Sequence, residues 1–383
     1  MRLAILYPRF AHPAIEERYG SWQSQLFLRR AARDAEWITY NPDDDVKTAA
    51  GLTAADVCLV VTDPLLLVGA EIASTLASAL TEGVLGAIPV TNEARRSDQL
   101  AAGIEPYLTI RQFEEAAEAV LRRDLPARTA TWEGDPGLYL SSTAFLRTVS
   151  RKAGNALDGE RVAIARTAYV HRWTRLRSQP RADLLPRIPT HATSILEFGC
   201  AEGLLGQTVK ARQDCRFVGI EIDPRAASQA QTRLDRVLCG DATELLSSVG
   251  ERFDCIIGGD VLEHLSDPWS FLTGLRAIAA PDALLILSVP NVANWAIVAD
   301  LLRGRFDYAY IAIACAGHLR FFGRNTITDA LEIAGWSVEH IEGQPQIVNQ
   351  ETASLLKQLA GTAIPHDPEA LLAPGFYVHA RRF

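Results

Sequence analysis

The sequence predicts an α/β protein with two sheet-bearing domains, and three observations support this. Its 383 residues are enough for two or three domains of about 150 residues each. Its composition, with 48% hydrophobic and 22% charged residues, is that of globular proteins. Strand-like and helix-like segments alternate twice along the chain, which is typical of parallel sheets with crossover helices. We expect a smaller α/β domain over residues 1–127, a connector over 128–190 and a second α/β domain over 191–383.

Charge, cysteine spacing and hydropathy exclude several classes of protein. A net charge of −8 argues against a dedicated nucleic-acid binder, whose surface would be basic. The six cysteines contain no C-x-x-C pair, so we expect no zinc site and only buried free thiols, and we assign no metal ligand from this pattern. No apolar stretch is long enough to cross a membrane, and the N-terminal apolar run is too short for a signal peptide. These features predict a cytoplasmic protein and leave the oligomeric state open.

The first 127 residues alternate in the order expected of a parallel sheet. Strands are predicted at RLAILY, EWITYN, DVCLVVTDP and GAIPVT, with helices over residues 15–34 and 71–82 and a further helix ending near Arg123. The first strand is not followed by a G-x-G-x-x-G phosphate loop. This part is vaguely similar to half of a two-domain glycosyltransferase; a structural partner or a substrate-recruiting module is an equal alternative.

The connector begins with residues that break regular structure and continues with helical apolar spacing. LPARTATWEGDPG is rich in turn formers, and residues 138–177 predict helices. Arginine is dense here, which indicates either a solvated helix face or a site for an anionic group such as phosphate. These arginines are Arg161, Arg166, Arg172, Arg175, Arg177, Arg181 and Arg187.

From Thr193 onward the alternation is cleaner and predicts seven strands. They are SILEFG, RFVGIEI, RVLCGD, FDCIIGGD, ALLILSVP, WSVEHIE and FYVHARR. The insertion between the fifth and sixth strands has helical character over residues 292–303 and a turn at GRFDY.

The strongest chemical signal is ILEFGCAEG, residues 195–203, where the first of these strands meets a helix. Gly199 and Gly203 let the backbone approach a ligand, and the helix start offers N–H groups. The order is E-x-G-x-x-x-G, unlike the G-x-G-x-x-G of dinucleotide-binding enzymes. The Glu197 carboxylate would repel a pyrophosphate but suits a ligand with an amino group and a sulfonium.

The next three strands also end in glycine or acidic residues. Glu221 ends the second strand, where it can accept both hydrogen bonds from a ribose diol. Asp241 ends the third strand, where an adenine amino group can be met, and Gly259 ends the fourth. Because open α/β sheets bind ligands at the carboxyl ends of their strands, these positions predict one ligand site.

These residues carry a family resemblance. Residues 193–383 resemble class I S-adenosylmethionine-dependent methyltransferases, of the group that includes ubiquinone-pathway O-methyltransferases and polysaccharide-associated relatives. The resemblance lies in ILEFGCAEG, VGIEID, GDA, DVLEHLSDP, SVPN, GRFDY and GHLRFF. It implies a Rossmann-like sheet of seven strands with the last antiparallel, and S-adenosyl-L-methionine as the cofactor. It would place Glu197, Gly199, Cys200 and Gly203 at the methionine moiety, Glu221 on the ribose, Asp241 and Ala242 near adenine, and Gly259 near the sulfonium.

Two expectations connected with the resemblance can be tested in the structure. Ala201 stands where the family often has glycine, and we expect it to be tolerated with a negative φ. In the ubiquinone enzymes an acid-x-x-Glu-His group is linked to a divalent ion, and the matching residues would be Asp260, Glu263 and His264. The alternative is that Asp260 caps a helix and His264 lines the pocket.

If the acceptor is a hydroxyl, a general base assists the transfer, and histidine suits this task near neutral pH. The candidates are His264, after the fourth strand, and His318, in GHLRFF. We expect a small-molecule or glycan acceptor, with a lid or an apolar acceptor site formed by Trp295, Phe306, Tyr308, Tyr310, Phe321 and Phe322. An NAD-type oxidoreductase and a non-catalytic protein that kept the fold are the alternatives.

Overall fold

The computed structural model describes residues 1–9, 15–92, 99–104, 107–173, 180–345, 348, 350–362 and 366–382. The chain divides into two compact units. The first comprises Met1–Trp173 with Asp307–Ala316, and the second comprises Thr174–Phe306 with Gly317–Phe383. The division after residue 173 differs from the expected boundaries at 127 and 190, and Arg175 and Arg177 lie outside the described residues.

The first unit is built around one mixed sheet, in the order β2-β1-β3-β7-β5-β8-β4 with β6 also on β8 among its described residues. Its strands are β1 Leu3–Pro8, β2 Glu36–Tyr40, β3 Val57–Val61, β4 Leu66–Val68, β5 Gly86–Thr91, β6 Arg128–Thr131, β7 Leu138–Ser142 and β8 Arg161–Arg172. Its helices are α1 Ile15–Ala31, α2 Val46–Gly51, α3 Ile72–Ala79, α4 Ile110–Leu121 and α5 Thr143–Leu146.

The expected helical connector is corrected by the structure, because its longest element is the strand β8, and β6 and β7 also lie in it. β7 lies between β3 and β5 and is antiparallel to both, while β8 pairs in parallel with β5. The parallel sheet expected in the N-terminal domain is therefore a mixed sheet.

Burial on both faces explains why the connector strands were mistaken for helices. β8 pairs with β5 on one edge and with β4 and β6 on the other, and Val162–Ala165 and Ala168–Val170 are buried. A strand covered on both faces does not alternate apolar and polar residues, so its spacing lacks the period of two.

The second unit contains a seven-stranded sheet in the order β11-β10-β9-β12-β13-β15-β14. Its strands are β9 Ser194–Phe198, β10 Arg216–Glu221, β11 Arg236–Cys239, β12 Phe253–Gly259, β13 Ala279–Pro290, β14 Trp336–Gly343 and β15 Gly375–Arg382. Its helices are α6 Leu204–Arg212, α7 Pro224–Ala230, α8 Ala242–Leu245, α9 Pro268–Ile278, α10 Trp295–Leu302, α11 Arg324–Ile333, α12 Gln350–Leu359 and α13 Pro368–Leu372.

This topology confirms the α/β class and the predicted antiparallel last strand. Strands β9 to β13 run parallel, and β15 enters antiparallel between β13 and β14. The sheet has apolar clusters on both faces, since Leu196 and Ile256 belong to one cluster and their neighbours Ile195 and Ile257 to the other. A sheet covered on both faces keeps its strands apolar throughout and leaves the strand ends as the place for polar chemistry.

Side-chain caps fix where the helices of the second unit begin. Asp223 accepts a hydrogen bond from the backbone N–H of Arg225 at 2.8 Å at the start of α7, and Asp267 accepts one from Ser270 at 3.0 Å at the start of α9. Each cap satisfies an N–H that the helix leaves unpaired, which contributes about 1 kcal/mol. The caps sit in the loops that follow the strands, so they also order the carboxyl edge of the sheet.

Two further expectations concern hydropathy and the cysteines. Among the described residues, no helix is both long enough and apolar enough to cross a membrane. All six cysteines are free, and four of them are buried, whereas Cys215 is half-buried and Cys239 is exposed.

Candidate active site

The carboxyl ends of four parallel strands bring the predicted residues to one edge of the second sheet. β9 lies between β10 and β12. The strand that follows β9 along the chain, β10, pairs on one side of it, and β12 pairs on the other side. Such a reversal of strand order opens a crevice at the strand ends, where α/β sheets bind ligands. The predicted cofactor positions at Gly199, Glu221, Asp241 and Gly259 all follow strands at this edge.

Two glycines in the left-handed region shape the turn after β9. Gly199 and Gly203 have φ of +74° and +75°. A Cβ on Gly199 would lie 2.4 Å from Cγ2 of Val261, and one on Gly203 would lie 3.1 Å from both Cα and Cβ of Ala230. The glycines therefore serve close packing as well as backbone approach to a ligand.

Ala201 overturns the expectation of a negative φ, because its φ is +48°. Its backbone N–H donates to Oε2 of Glu221 at 2.8 Å, and the left-handed conformation directs the N–H there. A non-glycine residue in this region costs about 1 kcal/mol. The turn stores that strain in order to fix Glu221.

Glu221 lies at the end of β10, buried to 7% exposure. Its two carboxylate oxygens accept backbone N–H groups, Oε2 from Ala201 and Oε1 from Asp223 at 2.9 Å. Each oxygen keeps a second lone pair, so the carboxylate is oriented and can still accept hydrogen bonds from a diol.

Glu197 is the unusual group of the site. It is 4% exposed, and Oε2 has no hydrogen-bond partner among the described residues. Burial raises the pKa of this carboxyl to about 8, against the nearby Arg181 guanidinium, which lowers it, and together with the Glu221 carboxylate, which raises it further. A buried, unsatisfied carboxyl of this kind can receive a cationic group.

Three other predicted cofactor residues take part in helix capping or packing, namely Asp241, Ala242 and Cys200. Asp241 accepts hydrogen bonds at Oδ1 from the N–H and hydroxyl of Thr243, so it caps α8, where Ala242 is the first residue. Cys200 is 3% exposed, and burial raises the pKa of its thiol, which makes it a packing residue rather than a nucleophile.

Arg181 is a site residue that the sequence did not single out. Its guanidinium pairs with Asp183 at 2.9 Å and with Asp260 at 3.2 Å, and it donates to Oγ of Ser288 at 3.0 Å. A Cβ on Gly259 would lie 2.5 Å from Nη1 of Arg181, so the glycine at the end of β12 leaves the space that this guanidinium occupies. The dense arginines before β9 were a signal, but they did not indicate which one enters the site.

Two other arginines of that segment, Arg172 and Arg187, do not share one anion site. Arg172 pairs with Asp63 at 3.4 Å in the first unit, and Arg187 pairs with Glu342 at 3.0 Å in the second. Their guanidinium groups are thus bound to carboxylates within separate units.

His264 and His318 lie together, as catalytic candidates should. Their ring centroids are 4.8 Å apart. His264 follows the end of β12, and His318 follows the insertion. His264 is exposed, and Nδ1 lies 3.0 Å from the carbonyl oxygen of Gly317. Because a carbonyl only accepts hydrogen bonds, Nδ1 carries the proton, and Nε2 of neutral His264 keeps a lone pair that can accept one.

Glu263 lies beneath the histidine pair. It is 1% exposed, neither carboxylate oxygen has a hydrogen-bond partner among the described residues, and Oε1 lies 3.9 Å from Nε2 of His318. Burial, with a smaller effect of Asp260, raises the pKa of this carboxyl well above its ordinary value.

The residues that can hold a divalent ion differ from those expected. One ligand atom from each of Glu263, His264 and His318 lies within 4.8 Å of the others, and a carboxylate with two imidazoles is a set that several transition metals accept. Asp260 does not join them or cap a helix, since its carboxylate pairs with Arg181 and accepts from the Ser288 hydroxyl at 2.7 Å.

The aromatic residues of the insertion divide into two groups. Phe306 and Phe321 are each 38% exposed and meet edge to face, with ring centroids 5.7 Å apart. Phe321 also lies 6.4 Å from His318. Tyr308 and Tyr310 belong to the first unit, whereas Trp295 and Phe322 are buried in the second. Only the phenylalanine pair is placed in the second unit with rings open to an acceptor.

Comparison with known proteins agrees with this geometry. The family model described as "Methyltransferase domain" matches residues 168–341. A ubiquinone biosynthesis O-methyltransferase of Cereibacter sphaeroides is 32% identical over 114 residues, which cover 28% of this chain and 46% of the relative. One of Dinoroseobacter shibae is 24% identical over 174 residues, covering 44% of this chain and 68% of the relative.

The chain thus spans about half the length of the Cereibacter relatives that it matches. A solved structure of a SAM-dependent methyltransferase from Archaeoglobus fulgidus is 17% identical, with a TM-score of 0.40, and covers 54% of this chain and 94% of that one. The family match and the relatives thus show that residues 168–341 are similar to a methyltransferase domain, and the strand-end residues described above fall within that range.

Proposed function

We propose that this chain transfers the methyl group of S-adenosyl-L-methionine to a hydroxyl group of a small-molecule acceptor. The observation that carries the proposal is the buried Glu197 carboxyl, which lies near Glu221 at the glycine turn and whose Oε2 has no hydrogen-bond partner in the described part of the chain. S-adenosylmethionine brings an amino group and a sulfonium, both cationic, to such an edge. A nicotinamide dinucleotide would bring a pyrophosphate, which these carboxylates repel.

The residues of the strand ends divide the work of binding. Glu221 is oriented to accept the hydrogen bonds of the ribose diol, and Asp241 lies at the end of the next strand for the adenine. Glu197 faces the cationic amino group, and Arg181 offers a guanidinium to the carboxylate at the same end of the molecule. These contacts fix the cofactor's orientation relative to the acceptor, and such orientation can supply about 7–11 kcal/mol of a barrier.

The cofactor supplies a methyl group already activated by its bond to a positive sulfur. In the transfer the carbon–sulfur bond breaks, the carbon–oxygen bond forms, and a neutral thioether remains. His264 accepts the hydroxyl proton at Nε2 and passes it to solvent, to which its side chain is exposed. His318, packed edge to face on His264, restricts the ring orientation.

The acceptor that these residues favour carries an apolar or aromatic part beside its hydroxyl. The half-exposed Phe306 and Phe321 rings lie on the side of His318, and rings of this kind pack on apolar surfaces. The names of the relatives specify O-methylation in ubiquinone biosynthesis, which is consistent with this class. The expectation of a glycan acceptor depended on an arginine-rich helical connector, which the structure replaces with strands.

Calorimetry with S-adenosylmethionine and with NAD tests the binding step. The wild-type chain should bind the first and not the second. Glu197→Gln should weaken S-adenosylmethionine binding by about tenfold or more, because a hydrogen bond to a charged group is lost. Glu339→Gln, on the exposed pair with Arg381, is the matched control and should bind as the wild type does. Binding of NAD instead of S-adenosylmethionine would refute the proposal.

An acceptor screen tests the transfer step. Phenols and alkyl-substituted phenols should be methylated in preference to sugars and nucleotide-sugars. Exclusive methylation of sugars would show that the phenylalanine pair does not select the acceptor.

A further inference from the structure

The ten residues Asp307–Ala316 leave the second unit and return to it, yet they belong to the first unit. We call them the anchor loop. The chain enters the loop after Phe306 and leaves it at Gly317, one residue before His318. The histidine pair is therefore tied covalently to a segment that folds with the N-terminal sheet.

The anchor loop is embedded in the first unit. Ala309, Ile313 and Cys315 are each at most 4% exposed, and Ala309 belongs to the apolar core of that unit. Gln23 of α1 donates from Nε2 to the carbonyl oxygen of Tyr308 at 2.8 Å. A Cβ on Gly20 of α1 would lie 3.1 Å from Cβ of Tyr310, so the loop packs directly on this helix.

The two arms of the loop are closed on each other. The N–H of Ala309 donates to the carbonyl of Ala314, and the N–H of Ala316 donates to the carbonyl of Ala309, both at 2.9 Å. The loop thus behaves as one compact piece, and a displacement of its body is passed to its exit at Gly317.

The exit of the loop is bonded directly to the candidate catalytic residues. The carbonyl oxygen of Gly317 receives Nδ1–H of His264. The backbone N–H groups of Leu319 and Arg320 both donate to the carbonyl of Glu263, at 2.8 and 3.0 Å. The tautomer and the orientation of His264 therefore depend on where the loop delivers Gly317.

We propose that the first unit positions the histidine pair by holding the anchor loop, and that it is in this way part of the catalytic machinery. The loop residues are positioning residues, because they act through Gly317 and touch no reacting atom. The catalytic consequence rests on the proposed function, whereas the mechanical link between the loop and residues 317–320 does not.

A wedge placed in α1 tests the link without touching the second unit. Gly20→Leu must displace Tyr310 or Leu65, since a Cβ alone would already lie 3.1 Å from Cβ of Tyr310 and from Cδ2 of Leu65. The matched control is Gly51→Leu in α2, where no atom lies within 4 Å of the added Cβ. Hydrogen exchange of the backbone over residues 317–322 is the readout, because it requires no activity.

In Gly20→Leu, exchange over 317–322 should accelerate by about tenfold or more, because overpacking loosens the segment that it displaces. In Gly51→Leu it should stay within about twofold of the wild type. Affinity for S-adenosylmethionine should be unchanged in both variants, while the transfer rate in Gly20→Leu should fall and its pH profile should shift without a change in KM for the cofactor. Because the exchange result stands without transfer, failure of the proposed function would be recognised separately.

Unchanged exchange over 317–322, with faster exchange over 308–316 showing that the loop has moved, would overturn the proposal. If Gly20→Leu unfolds the first unit, residues 317–322 must exchange faster while β9 and β12 stay protected. Continued protection of residues 317–322 in that variant would again overturn the proposal. Gly20→Ala, with the smallest possible wedge, should give the same effect in a weaker form.

Discussion

Both sheets gather charged groups at the carboxyl ends of parallel strands, but among the residues that the structure describes only the second leaves buried acids unsatisfied there. In the first unit, Asp63 after β3 pairs with Arg172 at the end of β8, and Asp135 accepts a hydrogen bond from the Thr62 hydroxyl. In the second unit, Glu197 and Glu263 are buried with oxygens that have no hydrogen-bond partner among the described residues. Acids that are paired within the protein are explained by the stability of the fold alone. A buried acid without a partner lowers stability unless a bound ligand compensates the cost of burying it.

The two units should also respond to pH in opposite directions. In the first, burial lowers the pKa of His171 to about 4, so the folded state excludes a proton that the unfolded chain binds. In the second, burial raises the pKa of Glu197 to about 8, so the folded state keeps a proton that the unfolded chain has lost. A fall in pH from 6.5 toward about 4 therefore destabilises the first unit, whereas a rise in pH from the ordinary carboxyl value toward about 8 destabilises the second.

The largest expected effect is on transfer at the histidine pair. His264→Ala should reduce single-turnover transfer by about 10²–10⁴-fold, the usual contribution of a general base, with cofactor affinity retained. His340→Ala, at an exposed histidine of β14, should transfer as the wild type does. An unchanged single-turnover rate in His264→Ala would remove it from the mechanism.

The next largest effect should be the loss of stability of the first unit in acid. Stability should be full above the ordinary histidine pKa of 6.5 and should fall as the pH drops toward about 4, the pKa in the folded state, with a total loss of about 2–3 kcal/mol. Urea unfolding at several pH values, with hydrogen exchange over β8 as the local readout, measures it. His171→Phe should be flatter in this range, whereas His191→Phe, at an exposed site in the second unit, should keep the full dependence.

Cofactor binding should report the proton on Glu197. A cationic ligand favours the carboxylate, so binding releases a proton and the affinity should rise by about tenfold per pH unit below about pH 8, and then level off. Calorimetry in buffers of different ionisation enthalpy measures the released proton. Glu197→Gln should release none, and release by this variant equal to the wild type's would assign the proton to another group.

The smallest effect concerns the strained turn. Ala201→Gly should raise the free energy of unfolding by about 0.5–1 kcal/mol, because relief of the left-handed strain exceeds the added entropy of the unfolded chain. Chemical denaturation of the second unit measures it. The reverse change at a comparable backbone angle, Gly304→Ala at φ +71° with no atom near the added Cβ, should destabilise by a similar amount, and stabilisation there would contradict the argument.

The sequence predicted the second unit well because its signals are local. Apolar runs ending in glycine or acid define β9 to β12, and parallel pairing then brings Glu197, Glu221 and Gly259 to one edge. The same logic placed His264 just beyond β12. It failed for residues 128–172, because strands buried on both faces lose the alternation by which a strand is recognised.

What the sequence determined by itself is the α/β class, the seven strands of the second unit and the chemical types at the strand ends, whereas the antiparallel last strand was implied by the family resemblance. Only the tertiary structure decided that Arg181 covers Gly259, that Ala201 takes a positive φ, and that residues 307–316 fold with the first unit. Periodicity and turn residues are properties of a few neighbouring positions, and so they can be read along the chain. The three others depend on contacts between residues far apart in sequence, where packing and hydrogen bonding select one partner among many of the same type.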